Sequence, residues 1–220
     1  MIARLRADVI ASSWTTDTLD ELLSDGALSA LMRDSRLPAL VELAGVDAPA
    51  ATLTRFFIGG QPERASALDT ALPTLGAAGL ETLGLAATID EDEAASALVM
   101  PRPYSKSAPK RERAQAGEGE EASFPTAPAL PTMRDPDEEP EPEVVVDPWM
   151  RALYDLRPHA AALPGGEHEW WVTSDLGEGQ TGKPLADHHV MGIGGATRTL
   201  LEMTVRDQVD SALDVGCGCG

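Results

Sequence analysis

Cysteine is nearly absent from the 220 residues: only Cys217 and Cys219 occur, which excludes a disulfide framework. Basic residues are scarce as well, 17 Lys and Arg against 36 Asp and Glu, for a net charge of -19. Phosphate binding needs clustered cations. The one basic run, Lys106 to Arg113, is followed by Glu118, Glu120 and Glu121, so the sequence carries no strong nucleic-acid patch. No apolar run approaches the roughly eighteen residues of a membrane helix. The first residues carry Arg4 and Arg6, but the apolar stretch behind them is broken by Asp8, Ser12 and Ser13, unlike a signal peptide. A cytoplasmic protein with no membrane partner is expected. What is present suffices for a core of ordinary size, since 43% of the residues are hydrophobic.

Up to Ile89 the chain predicts mostly helix. Leu5, Val9 and Ile10 mark a first amphipathic helix, and Thr15 or Thr16 suits the N-cap of a second over Asp17 to Leu23, with Gly26 as its stop. Ala27 to Arg33, Pro38 to Ala44, Pro49 to Ile58 and Pro62 to Leu72 repeat the pattern, and Leu53, Phe56, Phe57 and Ile58 are core candidates. Leu80 to Ile89 and Ala94 to Met100 predict two strands joined by the polar turn Asp90-Glu91-Asp92-Glu93. Helices followed by such a hairpin resemble a winged helix, although a hairpin tip of four acids would repel phosphate.

From Pro101 to Pro148 the composition changes to proline, glutamate, alanine and serine, and nearly half of the acidic excess lies between residues 90 and 147. Such a segment buries too little apolar surface to offset its ordering entropy and is expected to be a disordered linker. Beyond it, Trp149 to Pro158 and Glu169 to Ser174 predict two strands around Pro164-Gly165-Gly166. Alternation puts Trp170 and Trp171 on opposite faces, so at most one is core. Leu176 to Ala186 predicts a Gly-rich loop. His188 and His189 beside Asp187 have no further ligand at zinc spacing, so no metal is expected.

Two glycine segments close the chain. In Gly192-Ile193-Gly194-Gly195-Ala196-Thr197 no Gly-Lys-Ser/Thr follows, which argues against a P-loop and for a turn capped by Thr197 ahead of a helix from Arg198 to about Thr204. Ala212-Leu213-Asp214-Val215-Gly216-Cys217-Gly218-Cys219-Gly220 predicts a short buried strand feeding a tight turn with bare backbone amides. A dinucleotide fingerprint is the nearest rival, but its acid normally stands about 20 residues beyond the loop rather than before it.

The spelling Asp-x-Gly-x-Gly-x-Gly at Asp214 to Gly220 resembles the first motif of class I S-adenosylmethionine (SAM)-dependent methyltransferases. Asp187 to Leu201 and Trp170 to Gly177 are similar, in the same order, to the lead-in of the small-domain group that methylates release-factor glutamine or ribosomal RNA guanine. The resemblance spans roughly Asp155 to Gly220. It implies SAM as cofactor, held by Asp214, Gly216, Gly218 and Gly220 with Gly194 and Gly195 at its border, and a protein or RNA methyl acceptor. It also implies a helical domain ahead of Asp155-Leu156-Arg157-Pro158, into whose junction the linker is inserted. In that family the acceptor clamp and the acid that holds the cofactor ribose lie beyond the glycine turn. No catalytic residue is therefore named, and the 220 residues read as the N-terminal part of such an enzyme, inactive alone.

The fold class so predicted is α+β. A helical, winged-helix-like domain occupies 1–100 and a disordered acidic, Pro-rich linker 101–148; a β-hairpin and the start of a Rossmann-like methyltransferase domain occupy 149–220. The alternative function is a non-catalytic winged-helix-like binding module with a methyltransferase remnant.

Overall fold

The computed structural model describes residues 1–98, 146–163, 165–205, 207–213 and 215. Met1–Arg102 and Asp147–Gly220 form one compact unit of mixed helix and sheet. It begins with α1 (Ile2–Ala11), α2 (Thr16–Leu22), α3 (Asp25–Leu31), α4 (Leu37–Glu42) and α5 (Pro49–Leu53), the last running into a π-helical turn, Thr54–Ile58. Local chemistry explains the helix boundaries. Thr15 Oγ1 accepts from the Thr18 amide to start α2, and Ser24 Oγ accepts from Ala27 N to start α3. Gly26 therefore lies inside α3 and is not the stop of α2, because Ser24-Asp25 is the stronger start signal.

The core gathers around the π-helical turn. Trp14, Leu53, Phe56 and Phe57 are fully buried, Phe57 stacking on Trp14 at 5.8 Å and meeting Phe56 edge-on at 4.9 Å. Trp14 Nε1 donates to Thr54 Oγ1 at 2.9 Å, which in turn donates to Ala50 O at 2.7 Å, so the one polar atom of this aromatic group has a partner. A second small cluster, Leu23, Ala27, Ala39, Leu43 and Ala51, joins α3 and α4 to α5.

A short strand β1 (Glu63–Arg64) leads into α6 (Ala65–Ala71), followed by α7 (Gly76–Thr82) and β2 (Ala86–Ile89). The segment after β2 corrects the expected hairpin: Glu91–Leu98 is helix α8, and Leu80 belongs to α7. Asp90 Oδ1 accepts from Glu93 N at 2.7 Å, and three acids occupy the first turn, where the helix dipole favours them. A run of acids after a strand therefore starts a helix here instead of forming a turn.

The strand that begins at Trp149 also differs from expectation. It breaks at Leu153 into β3 (Trp149–Ala152) and β4 (Tyr154–Leu163), which enter different sheets. β3 lies between β1 and β2 in an antiparallel sheet of order β1-β3-β2, with Arg64 opposite Trp149 and Ile89 also opposite Trp149. A boundary placed at residue 148 would thus separate β3 from both strands it pairs with. Further bonds pin this return. Asp147 accepts from Ser66 N (2.9 Å) and Ser66 Oγ (2.6 Å) at the start of α6, and Pro148 O accepts from Ala65 N. These bonds lower the Asp147 pKa below the usual carboxylate range.

β4 pairs along its length with β5 (Gly166–Asp175). Gly165 and Gly166 take φ of 105° and 129° at the turn, a region that glycine alone enters easily; Pro164 lies outside the described residues. One face of the hairpin joins the core through Leu156, and Trp171 Nε1 donates to Trp14 O at 2.8 Å. Glu169 Oε1 accepts from Thr16 N at 2.7 Å on the same face. Trp170 points to the other face, stacked on His168 and 42% exposed, as alternation predicts.

After β5 come the short helix α9 (Glu178–Thr181) and α10 (Gly195–Met203). The cap of α10 is Gly194 and not Thr197, so the helix begins three residues earlier than expected. None of its residues is buried. Leu213 and Val215 are exposed and in no strand, because the described residues offer no sheet edge paired to them.

Candidate functional site

Alternation along Asp155-Leu156-Arg157-Pro158-His159 places Asp155, Arg157 and His159 together on the hairpin face opposite Leu156. Cross-strand pairing sets Ser174 opposite Asp155 and Trp170 opposite His159. Asp155, His159 and Ser174 are all buried. Burial of three polar residues on one face of a two-stranded ribbon needs a cover. The chain between Leu176 and Arg198 contributes to it: a Cβ on Gly192 would stand 2.8 Å from Ser174 Oγ, and Arg198 of α10 lies near enough to act on His159 electrostatically.

The polar groups are nearly all matched. Arg157 forms a two-pronged pair with Asp155, through Nε at 2.6 Å and through Nη2. Burial opposes the Arg157 charge, but the Asp155 hydrogen bonds and charge, with Asp34 beyond, raise its pKa above the ordinary value. Gln180 Nε2 donates to Asp155 Oδ2 (2.9 Å) and also to Phe57 O (2.9 Å) and Ile58 O (3.0 Å), the terminal carbonyls of the π-helical turn. Arg36 serves the next carbonyl, Gly59 O, and burial lowers its pKa. A small cleft with 20 Å³ of room, about that of one water, lies between Leu31, Asp34, Arg36, Arg157 and Gln180.

His159 is the exception. Its Nε2 is buried and has no hydrogen-bond partner among the described residues. Burial, then the positive charges of Arg198 and Arg157, push its pKa down to about 4, against a smaller opposing pull from Asp155. The ring is therefore neutral at physiological pH.

The residues expected to hold a cofactor fall in two places. Asp214, Gly216, Gly218 and Gly220 lie outside the described residues. Gly194 and Gly195 stand at the start of α10 with nothing within 4 Å of where a Cβ would be, so their backbone faces open space. His189 is half-buried, its Nδ1 3.9 Å from Asp175 Oδ2, while His188 is exposed; no metal-binding group of three or more ligands occurs among the described residues. The cluster of Asp155, Arg157, His159 and Gln180 was not singled out by motif. Its signal was the period-two spacing of Asp155, Arg157 and His159, visible within a segment otherwise notable only for its spelling.

Comparison with known proteins places one match on the chain: residues 11–97 match a family described as a domain of unknown function (DUF7059). That span covers α2 to nearly all of α8 and stops short of the hairpin. No curated protein and no solved structure matches the chain. Among the described residues no helix is long and apolar enough to cross a membrane.

Proposed function

We propose that the protein acts in SAM-dependent methyl transfer to a protein or RNA acceptor, with Asp214, Gly216, Gly218 and Gly220 against the methionine end of the cofactor and Gly194 and Gly195 at its border. The observation that carries this reading is the order of three segments, Trp170 to Gly177, Asp187 to Leu201 and Asp214 to Gly220, each similar to the corresponding part of one methyltransferase group. The open backbone at Gly194 and Gly195 supports it, since a ligand can approach there without meeting a side chain. Cofactor, when bound, supplies an electrophilic methyl group. The chain's own residues position and bind, because methyl transfer asks mainly for alignment of nucleophile and methyl carbon.

Within this proposal the N-terminal part is winged-helix-like. Support comes from the element order α5, β1, α6, α7, β2, α8, β3 and the sheet order β1-β3-β2, short helices packed with a small antiparallel sheet. The same observation favours the second reading, a non-catalytic winged-helix-like binding module.

The test is SAM binding by the native protein purified from its source. Asp214→Ala is expected to weaken binding by about thirtyfold, the loss of one charge-assisted contact. Unchanged affinity in that variant would remove the assigned role of the turn.

A further inference from the structure

We propose that Leu176–His189 is a strap that opens and closes as a unit, held shut by the side chain of Gln180. The proposal does not depend on the methyltransferase reading. Its base is closed by two bonds between the strap's flanks: Asp175 N donates to Val190 O at 3.0 Å, and Val190 N donates to Asp175 Oδ2 at 2.8 Å. A loop of this length with its ends tied together is an Ω-loop in form, a class that is frequently functional.

Within the strap the bonds are local. Gly177 N donates to Gln180 Oε1 (2.7 Å), Gly182 N to Glu178 O (2.8 Å), Leu185 N to Glu178 Oε1 (3.3 Å) and His189 N to Ala186 O (3.0 Å). Thr181 to His188 are all exposed. Among the described residues, the hydrogen bonds from the strap to the body of the unit are the three made by Gln180 Nε2, to Phe57 O, Ile58 O and Asp155 Oδ2. An NH2 group has two protons, so three acceptors around it share them, and the latch is weaker than three separate bonds. The seat beneath is made for close approach and not for apolar burial: a Cβ on Gly179 would lie 2.7 Å from Asp34 O. With so little apolar area involved, opening costs little beyond the latch itself.

Opening exposes a defined surface: the carbonyl end of the π-helical turn, the Asp155 carboxylate, and the cleft beside Arg36 and Arg157. It also frees the lead into Gly192, which rests on Ser174 when the strap is down. π-helical turns occur disproportionately at functional positions, and here the strap serves as the cap of one.

Amide hydrogen exchange on the full chain tests this, comparing the wild type with Gln180→Ala and Gln180→Glu. The expected result is exchange about tenfold faster at the amides of Gly182, Leu185 and His189 in Gln180→Ala, because the strap's four-residue helix is too short to keep its bonds once off the body. The Gly177 amide, whose acceptor is the Gln180 side chain itself, is no measure of opening. Amides of β4, β5 and α5 keep their wild-type rates. In Gln180→Glu the new carboxylate faces Asp155 and two carbonyls at neutral pH and opens the strap similarly; protonation at low pH restores one donor and part of the protection. Unchanged strap exchange in Gln180→Ala would overturn the proposal. So would acceleration shared equally by β4, β5 and α5, which would make Gln180 a link of the whole fold.

Discussion

Replacing Asp8 by alanine is expected to lower the unfolding free energy by about 4 kcal/mol. Asp8 sits in α1 at 1% exposure, and its carboxylate accepts from Thr74 Oγ1 (2.7 Å), Leu75 N (2.8 Å) and Thr74 N (3.1 and 3.2 Å). Two of these donors are main-chain amides of the turn ahead of α7, and they cannot swing away to other partners. The buried Leu75 amide left unmatched costs roughly 1–3 kcal/mol, and loss of the partly buried bonds from Thr74 adds to this. Asparagine keeps the shape but turns an NH2 toward donors, so Asp8→Asn is expected to recover less than half of the loss. Urea unfolding of both variants reads the effect, with an unchanged m-value marking a loss of stability and not of compactness. A loss below about 1 kcal/mol for Asp8→Ala would show that water reaches the Thr74 and Leu75 amides.

The second large effect is acid sensitivity set by His159. Its folded pKa of about 4 lies below the ordinary 6.5. Between those values the unfolded chain binds a proton that the folded chain refuses, so stability is full above the ordinary pKa and falls as pH drops toward the folded one. The expected loss is about 2 kcal/mol by pH 5 and about 3 kcal/mol once pH reaches 4. Arg157 and Asp155 on β4 and Arg198 on α10 are the charged groups that act on the ring. His159→Leu removes both the titration and the unmatched Nε2. The variant is expected to match or exceed the wild type at pH 7 and to gain about 2 kcal/mol on it by pH 5. Comparing the pair cancels the slope contributed by the many carboxylates. A constant difference across that range would contradict a buried, neutral His159.

Local signals were legible where one residue type decides the matter. Thr15 as a cap, the burial of Leu53, Phe56, Phe57 and Ile58, and the split of Trp170 from Trp171 all follow from capping and alternation, whereas the start of α3 at Ser24 was masked by the stop signal of Gly26. The acids at Asp90 to Glu93 misled because charge suggests a turn, whereas an N-cap followed by acids is equally a helix start. The path of β3 was not legible. Its partners stand near residues 63 and 87, and no local pattern encodes a pairing across so long an insertion. The latch of Gln180 was hidden for the same reason: a glutamine in a polar loop carries no sign that it caps a helix more than a hundred residues earlier.

SAM binding by the native protein, measured by equilibrium dialysis for wild type and Asp214→Ala, tests the functional proposal most directly. The account predicts saturable binding by the wild type that the variant loses by about thirtyfold. Absence of binding by the native wild type, or equal binding by both proteins, would contradict it; the former would leave the winged-helix-like binding module as the better reading.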